Sequence, residues 1–278
     1  MNSTILMIGD DVKGKARTPK LWNLAFKKLN MNEQVTELNL ILKDYQELNT
    51  FRDTFSTFIL GYPNKKVVST LPTQQKINPE LTGYNLVSWN KKTRQFQGYN
   101  FDGIAFCRSL TSSFPELNDR PIEIIFWGSG STAHSFLLEA RQNLNVQFST
   151  IISRQPQLVK TLDSKNNLVT DLKNFKATKL SSCFRIFINS SPVGKTGYEV
   201  SSFALDFLSR AKIDLVFDFN YGENYKSPFS ELVKNSYFLD GNEANVIQAA
   251  LGFFVTQRGI RYSQPEIIDF FKQLIVKA

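Results

Sequence analysis

Ile122-Glu123-Ile124-Ile125-Phe126-Trp127, followed without a break by Gly128-Ser129-Gly130-Ser131-Thr132-Ala133, is the stretch whose reading decides the fold. The first six residues have the length and the apolar, β-branched and aromatic content of a buried strand. Behind the Gly-x-Gly, a helical period runs through Phe136, Leu137 and Ala140. A strand that ends in glycines and opens a helix lets the backbone approach a pyrophosphate closely. The free N–H groups and the positive dipole end of the helix then bind that anion. Gly128, Ser129, Gly130, Ser131 and Thr132 are therefore candidate cofactor-binding residues. The third glycine of the dinucleotide fingerprint is missing, because Ala133 stands in its place. Taken alone, the stretch also reads as an ordinary strand–helix turn.

The next strand, Phe148–Ile152, runs into Ser153-Arg154-Gln155. NAD-preferring sites usually carry an acidic residue there for the ribose 2′-hydroxyl. Here no carboxylate is present, and the guanidinium of Arg154 suits a 2′-phosphate. NADP is the cofactor expected; the plainer alternative is that Arg154 is a surface residue. Strands are also expected at Arg185–Ile188 and Asp214–Phe219, and strands alternating with helices predict a parallel, doubly wound sheet.

Towards the N-terminus the same alternation recurs. Strands are expected at Ser3–Ile8, Gln34–Leu38 and Thr57–Leu60, with helical stretches at Pro19–Leu29 and around Tyr45–Phe51. Pro63-Asn64-Lys65-Lys66 reads as a turn, and Tyr84–Trp89 with Gln95–Tyr99 as a hairpin. After Asp240-Gly241 the pattern is helical, through Ala244–Gln257 and Pro265–Lys277.

Bulk properties narrow the function. The 278 residues allow one large domain or two ordinary ones, at 42% hydrophobic and 21% charged. No apolar run is long enough to span a bilayer, and the N-terminus lacks a basic leader, so no membrane partner and a cytoplasmic location are expected. Cys107 and Cys183 lie far apart and His134 is the single histidine, which argues against a disulfide framework and a metal site. The net charge of +8 is spread along the chain rather than gathered into a basic arm, so a phosphorylated ligand is expected and nucleic acid is not.

Gly128-Ser129-Gly130-Ser131 together with Ser153-Arg154-Gln155 is similar to the GAGG and NRT motifs of the shikimate dehydrogenase family. Further segments match in order. Thr18-Pro19 with Asn23 and Ala25-Phe26 resembles the end of SxSP-x-x-HN-x-x-F. Pro63-Asn64-Lys65 resembles the Pro-x-Lys of the catalytic lysine, and Gly98–Gly103 resembles GxNTDG. Asn189–Gly194 resembles the NAT-P-x-GM loop beside the nicotinamide. Asp218-Phe219-Asn220-Tyr221 resembles the D-x-x-Y strand end, and Asp240-Gly241 with Gln248-Ala249 resembles the DG…QA helix.

The resemblance implies an α/β protein of two domains. An N-terminal α/β substrate domain (1–103) is completed by C-terminal helices (241–278), with a Rossmann NADP-binding domain (104–240) inserted between them. It implies Lys65 and Asp102 as the catalytic pair, with Lys66 a neighbouring competitor for the lysine's role. Thr18, Asn85, Tyr221 and Gln248 would bind the substrate, and Ser153, Arg154, Asn189, Ser190 and Gly241 would join the phosphate turn on NADP. The implied activity is hydride transfer to or from a cyclic hydroxy or keto acid of aromatic amino acid biosynthesis, by a monomer or homodimer.

The substrate side departs from the pattern. Ala16 and Thr18 replace the two serines of SxSP, Trp22 replaces the histidine, and Ile59-Leu60-Gly61 replaces Asn-Val-Thr. Asn85 alone is kept from GAVNT, Lys195 replaces the methionine after the loop glycine, and Glu243 replaces the second glycine of DGLGM. Each lost hydrogen-bonding partner costs about 1–3 kcal/mol, so a changed substrate is expected, with Ile59 and Trp22 making the pocket more apolar. The competing expectation is a non-catalytic NADP-binding sensor or scaffold protein that keeps the fold.

Overall fold

A computed structural model describes residues 4–159, 166–175, 182–194, 199–200, 202–222, 225–230, 237–257 and 260–276. The chain divides into two compact units, one of Met1–Asp102 with Asn245–Ala278 and one of Gly103–Ala244.

The first unit is built on a mixed sheet in the order β2-β1-β3-β4-β5. Strands β1 (Thr4–Gly9), β2 (Val35–Asn39) and β3 (Phe55–Leu60) run parallel, while β4 (Leu86–Asn90) and β5 (Gln95–Tyr99) form the expected hairpin and pair antiparallel. Helix α1 (Arg17–Lys28) buries Leu21, Trp22, Ala25 and Phe26, a spacing that lines one face of a helix. Lys27 and Lys28 occupy its last turn, where cations favour the dipole. The segment read as a turn at Pro63–Lys66 is instead a short helix, α2 (Asn64–Val67), with Pro63 at its N-cap. Two later helices, α6 (Asn242–Thr256) and α7 (Gln264–Val276), belong mostly or wholly to this unit, and α7 packs on α1.

Trp22 joins α1 to α6. Its indole N–H donates to the Ala249 carbonyl at 2.9 Å, and its ring meets Phe253 edge-on at 5.5 Å. With 1% of Trp22 and 3% of Ile59 exposed, neither side chain presents surface to a ligand. The expectation that these two make a pocket apolar is corrected: both are core.

The second unit is a parallel sheet of six strands: β6 (Ile122–Trp127), β7 (Val146–Ile152), β8 (Asn167–Thr170), β9 (Phe184–Asn189), β10 (Leu215–Asp218) and β11 (Tyr237–Asp240). Their order, β8-β7-β6-β9-β10-β11, is the 3-2-1-4-5-6 arrangement of dinucleotide-binding sheets, with its switch point between β6 and β9. Every residue of β9 is buried, as expected of a strand covered on both faces. Ile124 and Phe126 of β6 enter one hydrophobic core with Phe136 and Ile186, while Ile125 enters the opposite one with Phe187, Val216 and Phe229. One buried ion pair, Arg185 with Glu123 at 2.8 Å, ties β9 to β6. The Arg185 guanidinium also donates to the Ala211 carbonyl, which satisfies a further N–H.

Helix α3 (Asp102–Ser113) and helix α4 (Ser131–Asn143) meet backbone to backbone at Gly103. The Gly103 N–H donates to Ser135 Oγ at 3.0 Å, and a Cβ built on Gly103 would lie 2.2 Å from the Ser135 carbonyl oxygen. No rotamer relieves a clash between a Cβ and a backbone atom. Gly103→Ala is therefore expected to cost about 1–3 kcal/mol, read as a lower thermal midpoint by calorimetry than in the parent protein.

Candidate functional site

In the first unit the side chains of Lys65, Asp102 and Asn85 come together. Lys65 lies in α2, straight after the Gly61-Tyr62-Pro63 bend at the end of β3. Its carbonyl accepts from the Tyr84 N–H at 2.9 Å, which ties α2 to the segment entering β4. Asp102 follows β5, where its N–H donates to Asn100 Oδ1 at 2.8 Å. Asn100 is itself held through its amide group, which donates to the Gly83 carbonyl at 2.7 Å.

The Lys65 ammonium donates to Asp102 Oδ2 at 2.8 Å, and Asn85 Nδ2 donates to Asp102 Oδ1 at 2.7 Å. Asp102's side chain is 5% exposed and that of Lys65 27% exposed, so the carboxylate is enclosed and the ammonium retains an outward face. Lys66, the competing lysine, is exposed. Asn85 is 1% exposed, and its oxygen also accepts from the Phe101 N–H at 3.3 Å. Its amide is thus placed to fix the carboxylate. The arrangement holds an ammonium at a set position with one carboxylate oxygen behind it, which suits proton delivery to an oxygen atom.

Thr18 is nearly buried in the first turn of α1, and Gln248 is half-buried on α6 in the same unit. Gly61 sits under Val12: a Cβ on Gly61 would be 3.0 Å from Val12 Cγ1 and 3.2 Å from the Met7 methyl. The room that a side chain at position 61 would need is already filled by apolar groups.

In the second unit the sequence-predicted cofactor residues gather at the C-terminal ends of β6, β7 and β9. Gly128 has φ +109°, in the left-handed region that favours glycine. A Cβ there would meet Ser190 Oγ at 3.1 Å and Ser191 Cβ at 3.0 Å. Gly130 is the N-cap of α4, and a Cβ on it would meet nothing within 4 Å. Ser129 and Ser153 share a hydroxyl–hydroxyl hydrogen bond of 3.0 Å across the ends of β6 and β7. Arg154 is exposed just beyond, Thr132 is half-buried in the first turn of α4, and Ser131 is nearly buried. Ser190 Oγ donates to the carbonyls of Trp127 and Gly128 at 3.2 and 3.1 Å, joining β9 to the turn across the switch point. Tyr221 follows β10, and Gly241 follows β11 with its N–H 3.3 Å from the Asn220 carbonyl. Glu243 Oε2 accepts from Ser109 Oγ at 3.5 Å, whereas Lys195 lies outside the described residues.

Sequence reading assigned no role to Asn100, although it lies inside the quoted Gly98–Gly103 motif. Its signal was the short Asn-x-Asp spacing, which suits a side chain that bonds the backbone two residues on.

No protein-family model matches the chain. A shikimate dehydrogenase (NADP(+)) of Staphylococcus aureus is 25% identical to it over 245 residues, spanning 85% of this chain and 86% of that protein. Along most of its length the chain is thus similar in sequence to a shikimate dehydrogenase. Solved structures extend the likeness of fold to nearly the whole length. The shikimate 5-dehydrogenase of Listeria monocytogenes, in complex with shikimate and NAD, superposes with a TM-score of 0.74 at 18% identity, covering 99% of this chain and 96% of that one. The quinate dehydrogenase of Corynebacterium glutamicum, in complex with NAD, gives 0.76 at 15% identity, covering 100% and 99%.

Removing the amide that holds Asp102 leaves an enclosed carboxylate short of a donor. Asn85→Ala is expected to lower stability by about 1–3 kcal/mol, seen as a lower midpoint in equilibrium urea unfolding.

Proposed function

We propose that the chain is an NADP-dependent dehydrogenase moving a hydride between the nicotinamide and a cyclic hydroxy or keto acid, with a substrate that differs from shikimate. The observation that carries this reading is the 2.8 Å contact of Lys65 Nζ with Asp102 Oδ2, in a chain whose curated relatives are shikimate dehydrogenases. In this reading the first unit binds the substrate and the second binds the cofactor.

The residues present fit a dinucleotide. Gly130, the N-cap of α4, has open space where a Cβ would lie, which leaves room for an anion to approach the backbone at the start of that helix. Ser129, Ser131, Thr132 and the turn N–H groups would hold the pyrophosphate. Ser153 and Arg154 would hold the 2′-phosphate, and Asn189, Ser190 and Gly241 would border the nicotinamide. The cofactor, when bound, supplies the hydride.

The chain's own part is the proton. Lys65 Nζ donates it to the oxygen that gains negative charge as a ketone is reduced, and takes it back in the alcohol-oxidising direction. Asp102 aims the ammonium, and Asn85 fixes Asp102. Thr18 and Gln248, in the same unit, are left to grip the ring acid. Gly61, closed over by Val12 and Met7, offers no hydroxyl, and Ala16 offers none either. A ring with fewer hydroxyls than shikimate, or with them elsewhere, matches such a wall.

A second reading, a non-catalytic NADP-binding sensor or scaffold, draws on the same two positions. Titration with NADPH and NADH, followed by absorbance assays at the nicotinamide band with shikimate, quinate, 3-dehydroshikimate and related ring acids, separates the two. Turnover on a ring acid is expected; NADPH binding with no turnover on any of them would leave the sensor. With an active substrate, Lys65→Met is expected to lose about 10²–10⁴-fold in kcat with NADPH affinity unchanged, which stopped-flow and fluorescence titration check. Arg154→Ala is expected to weaken NADPH by about 1.5–3 kcal/mol, the range for bonds to a charged group, and to leave NADH binding as it was. Equal losses for both cofactors would place Arg154 off the 2′-phosphate.

A further inference from the structure

Asp218, the last residue of β10, is fully buried, and among the described residues no ion pair to it is found. Neutral donors surround it instead. Oδ1 accepts from Asn189 Nδ2 at 2.9 Å and from the Asn220 N–H at 3.0 Å. Oδ2 accepts from the Tyr225 hydroxyl at 2.5 Å and from the Ser227 hydroxyl. Burial raises the carboxyl's pKa, and these donors oppose the rise.

The same donors organise the loop after β9. Asn189 Nδ2 also reaches the Val193 carbonyl at 2.9 Å, and Asn189 Oδ1 accepts from Ser191 Oγ at 2.8 Å. Asn220 Nδ2 donates to the carbonyls of Ser191 and Val193 at 2.9 and 3.1 Å. Gly194, at φ +98°, closes the loop against Tyr225 and Pro228: a Cβ there would be 2.6 Å from each. Through Ser190, the start of this loop is fastened to the Gly128 turn. Tyr225 and Ser227 lie seven and nine residues beyond Asp218, so this carboxylate ties two loops to the ends of β9 and β10, beside the switch point.

We propose that Asp218 is a positioning residue that holds the Asn189–Gly194 loop in the shape that receives the nicotinamide half of the cofactor. The inference rests on the reading of this unit as the NADP-binding one. It assigns Asp218 no direct contact with cofactor or substrate. The adenosine half, at Ser153 and Arg154 on the far side of β6, is served by residues outside the network. Asp218 therefore separates the two halves of one ligand, which a general loss of stability does not do.

The test compares NADPH with 2′,5′-ADP, which carries the adenosine half alone, on the full chain and on Asp218→Asn, Tyr225→Phe and Ser227→Ala. Asp218→Asn is expected to keep 2′,5′-ADP affinity within about two-fold and to weaken NADPH about ten-fold, as one lost hydrogen-bonded contact does. It should also alter the nicotinamide fluorescence of bound NADPH. With an active substrate, kcat should fall about 10–100-fold while the KM of the ring acid holds, and the isotope effect with 4-deuterated NADPH should grow as hydride transfer becomes slower. Tyr225→Phe and Ser227→Ala should move the same readouts in the same direction by less, and they carry the test if Asp218→Asn does not fold. Equal weakening of NADPH and 2′,5′-ADP overturns the proposal, as does unchanged NADPH binding and fluorescence in all three variants. Failure of the parent protein to bind either ligand instead removes the cofactor reading itself, and this inference with it.

Discussion

A carboxylate taken out of water must have its oxygens met by donors, or its burial costs several kcal/mol. Each candidate site of this chain holds such a group, and the two are satisfied differently. Asp102 receives a cation on one oxygen and an amide on the other, leaving the Lys65 ammonium held at 2.8 Å with a face turned outward. Asp218 receives amide, backbone and hydroxyl donors from two loops, and among the described residues no cation meets it. The first arrangement fixes an ammonium in place. The second keeps a backbone shape. Much of the surrounding structure, from the Asn100–Gly83 contact to the Ser190 bridge, keeps those donors in place.

What could be read in advance follows from how local each signal is. Ile122–Trp127 was legible to the residue, because a central parallel strand is apolar throughout and ends at glycine. The hairpin of β4 and β5 was legible because a polar turn separates two apolar runs. The edge strands were not. Asn167–Thr170 and Tyr237–Asp240 are four residues each, half-exposed, and strands only because a neighbour offers its edge. Helix α3 was missed for a related reason: its Asp102-Gly103 start reads as a turn, and the acceptor for the Gly103 N–H is Ser135, distant in sequence. Lys65 and Asp102 were found through the resemblance, since nothing in their spacing alone announces a 2.8 Å contact.

The divergence of the first unit is best understood as coupled packing. Trp22, where the related family has a histidine, is a core residue whose ring leaves little beyond glycine at position 252: a Cβ there would lie 3.2 Å from the indole. Gly61 and Val12 are coupled in the same way. Reverting Trp22 to histidine leaves a void in the core, whereas a side chain at position 61 enters filled space, so a hydroxyl there requires a smaller residue at 12.

The bond between Trp22 and Ala249 spans 227 residues of sequence. Everything needed for the second unit lies between those two residues, while the first unit receives its Asn245–Ala278 helices only after that unit has been made. On the ribosome, the inserted unit can close its sheet while the N-terminal segment still lacks the helix that covers Trp22 and Phe26. The exposed aromatic face of α1 in that interval is a natural point for a chaperone to act.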